Sequence, residues 1–366
     1  MSCVPSMAIL MPCSMIMVPV KTTKITMLPS ATASPCLHVQ LQQQGVTQMK
    51  KLFFFALCME AIIKSNKCSL EVIKMRSVSP EWCYQSQVTC PTPCQGPSEW
   101  NEVAMSCGGQ AQSPINIVTK RARTDERLQP LHYTGYQFGF HSDIINNGHS
   151  VQVNLPDSAK IGGGNLESTY KTLQLHFHWG ANGGPGSEHT IDGEQYPMEM
   201  HIVHIKQEYH SLSEALKDKT GVAVLGFFYQ ESGSSNKKYE SIVNGLKYIT
   251  QPGTNTTVND LSLDMLLPSQ ENLTTYYRYQ GSLTTPNCDE SVVWTVFENA
   301  IPLSKEQLSA FSQLKFADGL NMTATYRPVQ PLNGREVYRS GSVVVWVNTV
   351  VLLSAALAAV GLSLPD

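Results

Sequence analysis

The sequence predicts a β-dominated α+β fold: a single domain of strands with a few short helices at its periphery. Three observations lead there. Apolar and polar residues alternate in "SVQVNL" (150–155), "LQLHFHW" (173–179), "MEMHIVHI" (198–205), "VAVLGFFY" (222–229) and "SVVWTVF" (291–297), and period-two runs rich in Val, Phe and Trp form strands. Helical spacing is rarer and shorter, in 211–219, 237–249 and 304–314, the last opening with the Ser304-x-x-Gln307 capping box. No internal repeat, heptad pattern or Gly-rich phosphate loop argues for another architecture.

Taken from the N-terminus, residues 1–79 read as a leader. The first 48 are rich in Met, Pro, Thr and Gln with no assignable period, and no fold is expected of them. "MKKLFFFALCM" from Met49 then places two lysines before a short apolar run, the start of a secretory signal, although its cleavage site is unclear. A disordered cytosolic leader is the alternative. Residues 80–339 are enough for one large domain.

The last segment, 340–366, carries a run with no charge from Ser342 to Pro365, at about 22 residues long enough to span a bilayer. Arg335 and Arg339 precede it and no basic cluster follows, the reverse of what a span with a cytoplasmic C-terminus needs. Small residues "SGS" (340–342) sit before the run as at a glycolipid attachment site, with Ser340 the candidate, though the usual polar spacer is nearly absent. A glycosylphosphatidylinositol anchor is expected, with a single-pass span as the alternative.

Composition is that of a globular protein, 42% hydrophobic and 15% charged with net charge -3, which offers no basic surface for nucleic acid. Asn255, Asn272 and Asn321 each begin a glycosylation sequon. With the signal-like start and anchor-like end, they point to the extracellular face of the plasma membrane, where disulfides are permitted. Cys83, Cys90, Cys94, Cys107 and Cys288 lie in this part of the chain, and five cannot all pair with one another, so one is left over or bonds elsewhere.

Nine of the ten histidines lie between His132 and His210, so a histidine site would be built from that third of the chain. On a strand, His176 and His178 point the same way, a two-ligand clamp. Core packing is the plainer reading of that pair alone. Pairing with the next histidine strand brings His201 within reach, while His204, an odd number of residues on, should face elsewhere and serve structure. Three neutral imidazoles with a fourth position left to water describe a catalytic zinc. Gln174 and Glu199, each two residues before a histidine, share its face and suit the carbonyl or carboxylate partner that orients a ligand. The 18-residue loop 180–197 is long enough to be functional, and it carries Glu188 and His189.

"QSPINI" (112–117), "NNGHSVQV" (146–153), "LQLHFHWG" (173–180), "GSEHT" (186–190), "MEMHIVHI", "GVAVLGFF" (221–228), "GSLTTP" (281–286) and "YRPVQPLNGR" (326–335) occur in this order. Together they resemble an α-class carbonic anhydrase across residues 80–339. "WCYQSQ" (82–87), the cysteine layout and the tail make the membrane-anchored carbonic anhydrase IV group the most similar.

The resemblance implies a large twisted, mainly antiparallel sheet with one zinc at the bottom of a cleft, held by His176, His178 and His201. It implies reversible carbon dioxide hydration by zinc-activated hydroxide. Thr284 would orient the hydroxide and pass its own proton to Glu188, and His149 would shuttle the released proton. Val203, Val224, Leu283 and Trp294 match the apolar wall that receives carbon dioxide; Tyr84, Gln152 and Thr285 match polar residues of the cleft. Cys107 and Cys288 match a disulfide beside the catalytic threonine, Cys83 matches a partner of Cys94, and Cys90 is the extra one that could compete for Cys83. Bicarbonate or proton transporters are conceivable neighbours at the membrane. A silent relative kept as a binding or adhesion domain would typically lack a zinc histidine, and none is missing here. Strict alternation puts His149 and Gln152 on opposite faces, so a bulge near Ser150–Val151 is expected.

Overall fold

In the computed structural model of the chain, residues 81–88 and 94–341 are described, with the backbone of three stretches nearer the N-terminus. Those three, Ala8–Met11, Ile25–Pro29 and Leu37–Leu41, form a small antiparallel sheet of their own with the last strand in the middle, in a region where the sequence predicts no fold. The rest of the leader, Cys90 and the apolar run from Ser342 lie outside the described residues. Among the described residues no helix is long and apolar enough to cross a membrane.

Ten strands run in one path across the main sheet: β1 (Arg123–Asp125), β2 (Phe140–Asn146), β3 (Val151–Asn154), β4 (Tyr170–Trp179), β5 (Met198–Lys206), β6 (Val222–Ser232), β7 (Asn255–Leu261), β8 (Tyr276–Gly281), β9 (Val292–Ser304) and β10 (Tyr338–Ser340). Their spatial order is β7-β2-β3-β4-β5-β6-β9-β8-β10-β1, and Leu131–Thr134 and Lys160–Gly163 attach beside β4. Pairing is antiparallel except β6 with β9 and β10 with β1, so the sheet is mixed.

β5 sits near the centre and is buried at all nine positions, as a strand covered on both faces must be. One face sends Leu175, Phe177, Met200, Ile202, Leu225 and Phe227 into the main core, against Ile242, Leu246, Leu308 and Phe311 from two short helices. Those helices, Glu240–Leu246 and Lys305–Phe311, are shorter than the periodicity suggests. The segment 211–219 is helical only over Leu212–Ala215, capped by Ser211. The capping box at Ser304 and Gln307 is present in both directions. The other face of the sheet carries the histidines.

No bulge is found at Ser150–Val151: Val151, Gln152 and Val153 pair in regular register with Asn146, Ile145 and Ile144. His149 instead precedes the strand, in a bend where Asn147 Oδ1 accepts from the N–H groups of His149 (3.0 Å) and Ser150 (2.8 Å). Alternation does not apply to a residue outside the strand.

Ser340, the expected attachment residue, ends β10 and is buried. Its hydroxyl donates to the Thr274 carbonyl (2.9 Å) and accepts from Tyr276 N–H (3.0 Å). As placed, Ser340 is tied into the sheet and is not a free, exposed residue. The three sequon asparagines are all exposed.

Candidate metal centre

The register assembles the site. His176 on β4 stands opposite His201 on β5, His178 opposite Glu199, and Gln174 opposite Val203. One strand toward the sheet edge, Gln152 pairs with His176; on the other side Gly226 pairs with His201. A Cβ at Gly226 would stand 3.3 Å from Glu199 Oε1 and 3.7 Å from Trp294 Cζ3, so glycine leaves room for both groups.

Ligating atoms of His176, His178 and His201 lie within 4.8 Å of one another. Each ring has one nitrogen already engaged. His176 Nδ1–H donates to Gln174 Oε1 (2.9 Å), His178 Nδ1–H to the Thr325 carbonyl (2.6 Å), and His201 Nε2–H to Glu199 Oε1 (2.7 Å). In a neutral imidazole this leaves the opposite nitrogen with a lone pair. His178 Nε2 is buried without any hydrogen-bond partner, an arrangement that costs free energy unless something binds there. Burial pushes all three rings toward the neutral form: His176 well below the ordinary value, His178 down to about 3, and His201 below it despite Glu199. A borderline divalent transition-metal ion fits this set of three neutral imidazoles.

The supporting shell continues inward. Glu199 Oε1 also accepts from His189 Nδ1–H (2.7 Å), and Oε2 accepts from the backbone N–H groups of Glu188 and His189, both at 2.8 Å. Burial alone would raise this carboxyl, but His189 and His201 hold it well below the usual range. His189 Nε2 accepts from the Tyr279 hydroxyl (2.6 Å), which contacts Ser113 Oγ at 2.8 Å. His189, Glu199 and His201 also lie close enough to suggest a second metal group, yet the contacting atoms there are consumed by hydrogen bonds to one another.

Glu188 is buried, and its Oε1 accepts from Arg327 N–H at 2.8 Å. Burial, then Glu199, raises its pKa; the Thr284 hydroxyl and the Arg327 N–H oppose that. Thr284 is near enough to act in this way, but no well-formed hydrogen bond joins the two, and Glu188 Oε2 is left without a partner. The loop bearing Thr284 is held by Cys288 N–H to Thr285 O (2.8 Å) and by the Cys107–Cys288 disulfide. Cys83–Cys94 is also formed.

Val203, Val224 and Trp294 stand side by side across β5, β6 and β9, with Leu283 packed on the same cluster. Trp294 Nε1–H is spent on the Ser282 carbonyl (3.0 Å), so this wall offers no free donor. Gln152 and Thr285 are half-buried, and Gln152 Nε2 donates to Asn154 Oδ1 (3.0 Å). Tyr84 is fully buried with its hydroxyl unpaired, and burial, then Glu188, raises its pKa. His149 is half-buried and stacks on Trp82, ring centroids 4.0 Å apart.

Several contributors carried no legible signal. Thr325 acts through a backbone carbonyl, which any residue has. His189, Trp82 and Arg327 all lie inside the quoted motifs, where only adjacency to Glu188, to Cys83 and to Tyr326 marks them.

Three neutral imidazoles with no fourth side-chain ligand gathered there among the described residues, set against an apolar wall, define a catalytic rather than a structural metal centre. The sequence profile of eukaryotic-type carbonic anhydrases matches residues 95–341. The chain belongs to the carbonic anhydrase family, enzymes that interconvert carbon dioxide and bicarbonate. It is 41% identical to carbonic anhydrase 4 of Rattus norvegicus over 263 residues, 71% of this chain and 84% of the relative. Identity is 39% to carbonic anhydrase 15 of Mus musculus over 303 residues (78% and 92%). It is 37% to carbonic anhydrase 12 of Homo sapiens over 306 residues (80% and 85%).

Proposed function

We propose that this chain hydrates carbon dioxide reversibly to bicarbonate and a proton with one zinc ion held by His176, His178 and His201, and that His149 carries the proton out. The observation that carries the reading is the set of three imidazoles whose outer nitrogens are all engaged, leaving three lone pairs directed to one place. Zinc bound there would act as a Lewis acid that makes hydroxide available at neutral pH.

The protein's own groups do the rest. Glu188 Oε2, buried and without a partner, is free to accept from the Thr284 hydroxyl once the two close on each other. A cation among the imidazoles favours the ionised carboxylate, against the pull of burial. With its proton committed to Glu188, Thr284 presents only lone pairs to the reacting oxygen and selects one orientation of it. Val203, Val224, Leu283 and Trp294 receive a substrate that has no proton to donate and no charge. Tyr84, Gln152 and Thr285 give the cleft its polar side. An imidazole can take up and give back a proton near neutrality, and we assign this role to His149, whose pKa burial lowers from the ordinary value.

The setting is the outer membrane surface, supported by two formed disulfides, three exposed sequon asparagines and the apolar run after Gly341. A lipid anchor attached beyond Ser340 would hold the enzyme there, near any bicarbonate or proton transporters in the same membrane. Phosphatidylinositol-specific phospholipase should release the protein from cells; retention would favour a span.

Metal analysis and hydration assays on the purified protein test the chemistry. One zinc per chain, loss of activity on chelation and recovery with zinc are expected, and His201→Ala should lose both zinc and most turnover. Stoichiometric zinc with full turnover in His201→Ala would overturn the ligand assignment.

A further inference from the structure

The three sequons do not occupy equivalent places in the fold. Asn255 opens β7, the outermost strand at one end of the sheet. Asn321 stands at the same end. It bridges Lys315, whose carbonyl accepts from Asn146 Nδ2 (3.1 Å) on β2, the strand beside β7. Asn272 lies toward the other end, in the short turn Gln270–Leu273 that leads into β8. β8 pairs with β10, the strand that ends at Ser340. Between β7 and β10 there are eight strand spacings, roughly 38 Å along the sheet.

The Asn272 turn is tied to the C-terminal end of the domain. Thr274, the third residue of its sequon, offers the carbonyl to which Ser340 Oγ donates, and Tyr276 N–H donates back to that hydroxyl. The apolar run begins at Ser342, two residues on and so within about 7 Å of extended chain. Attachment through a lipid or through a span therefore starts at this end of the sheet.

The turn also presents the side chain outward. Leu273 is buried, Asn272 N–H donates to the Ser269 carbonyl (2.8 Å), and the Asn272 carbonyl accepts from Asn299 Nδ2 (2.9 Å). These fix the backbone while the amide stays exposed. An asparagine amide carries two N–H groups, and one of them reaches Ser269 Oγ at 3.0 Å. Glycosylation uses the other. The nitrogen loses that proton and bonds to the anomeric carbon of an oligosaccharide delivered as a lipid diphosphate, which leaves as the free diphosphate.

We propose that the oligosaccharide on Asn272 fills the space between the domain and the bilayer, while those on Asn255 and Asn321 point into the medium. A bulky hydrated chain at that place holds the tail end of the sheet off the lipid surface. The inference rests on the reading that the apolar run keeps the protein at the outer membrane surface, in either form of attachment.

Each oligosaccharide can be followed alone in variants that carry two of the three substitutions Asn255→Gln, Asn272→Gln and Asn321→Gln. A glycosidase that removes the whole sugar from asparagine is added to intact cells, and its progress is read as a gel shift. The Asn272 sugar should come off several-fold more slowly than the other two. After extraction in mild detergent, with the fold verified by hydration activity, all three should come off at similar rates. These substitutions lie outside the metal centre, so zinc content and hydration should match the parent.

If Asn272→Gln alone causes no gel shift, that position carries no sugar and the proposal ends. Equal rates on intact cells would place all three sugars in the medium. Slow removal at Asn272 that persists after extraction would assign the protection to the turn and not to the bilayer. Protein that fails to sediment with membranes before extraction would overturn the setting, and the proposal with it. Equal rates on protein that does sediment with them would overturn the proposal alone.

Discussion

His201 Nε2 lies 2.7 Å from Glu199 Oε1, two residues back on the same strand, and this bond decides which nitrogen of the ring is free. With Nε2 carrying the proton, Nδ1 keeps the lone pair. Glu199 can play this part because both its oxygens accept: from two imidazoles and two backbone N–H groups.

Glu199→Gln should therefore weaken zinc binding by about 10- to 100-fold, the usual cost of losing a group that orients a ligand. An amide presents two donors where the site supplies only donors, so one side of the shell is left unpaired. Competition with a chelator of known affinity measures the change. An unaltered zinc affinity would mean that the tautomer of His201 is fixed by something else.

His149→Ala should slow turnover in dilute buffer by about 10²-fold while interconversion at the metal persists, since only the exit of the proton is lost. Added imidazole should restore much of the rate. Equal loss of both steps, unrescued, would assign His149 a different task.

Much of this site was legible because strand geometry is so regular. Period two alone places His176 and His178 on one face, and two adjacent strands then bring His201 opposite His176. The same rule places His204 off that face, and it bonds instead with the Tyr136 hydroxyl and the Ala223 carbonyl. Alternation marks five of the ten strands in that path and leaves out the short Arg123–Asp125 and Tyr338–Ser340 and three longer ones. Phe140–Asn146, Asn255–Leu261 and Tyr276–Gly281 lack clean alternation: two lie at or next to the sheet edge with polar residues on both faces, and the third is buried through most of its length. The bulge expected at Ser150 was an error of assignment, because a residue in a bend owes nothing to strand parity.

His204 also gives a pH signature. Burial pushes it down to about 4, its backbone hydrogen bonds only partly opposing this. Unfolded, it would titrate at about 6.5. Between those values the unfolded chain holds the extra proton, so stability rises with pH through this window. The penalty is complete below pH 4, absent above 6.5, and on the order of 3 kcal/mol in full. His204→Gln keeps an acceptor for Tyr136 but cannot titrate. Denaturant unfolding at several pH values should show a slope lower by about one proton between pH 4 and 6.5. An identical slope in parent and variant would place the titrating group elsewhere.

Cys107 and Cys288 are 181 positions apart, and their bond closes most of the domain into one covalent loop. In the entropic account such a link is worth about 5 kcal/mol. Its second effect is local. Cys288 has φ 55, in the left-handed region that a side chain rarely adopts. Its N–H holds the Thr285 carbonyl, one residue past Thr284, and Gln112 Nε2 donates to its carbonyl at 3.2 Å. Gln112 Oε1 in turn accepts from Arg327 Nη1 (2.7 Å), whose own backbone N–H holds Glu188. Cutting the disulfide frees residue 288 to leave its strained conformation, and both the Thr284 loop and the Glu188 support then loosen together. The hydrogen bonds that orient His176, His178 and His201 run to Gln174, Thr325 and Glu199 and not through these contacts. Cys288→Ser should therefore lower the unfolding midpoint and the hydration rate while zinc content stays near one per chain. A variant that melts earlier but hydrates carbon dioxide at the parent rate would show that the loop holds Thr284 without the bond.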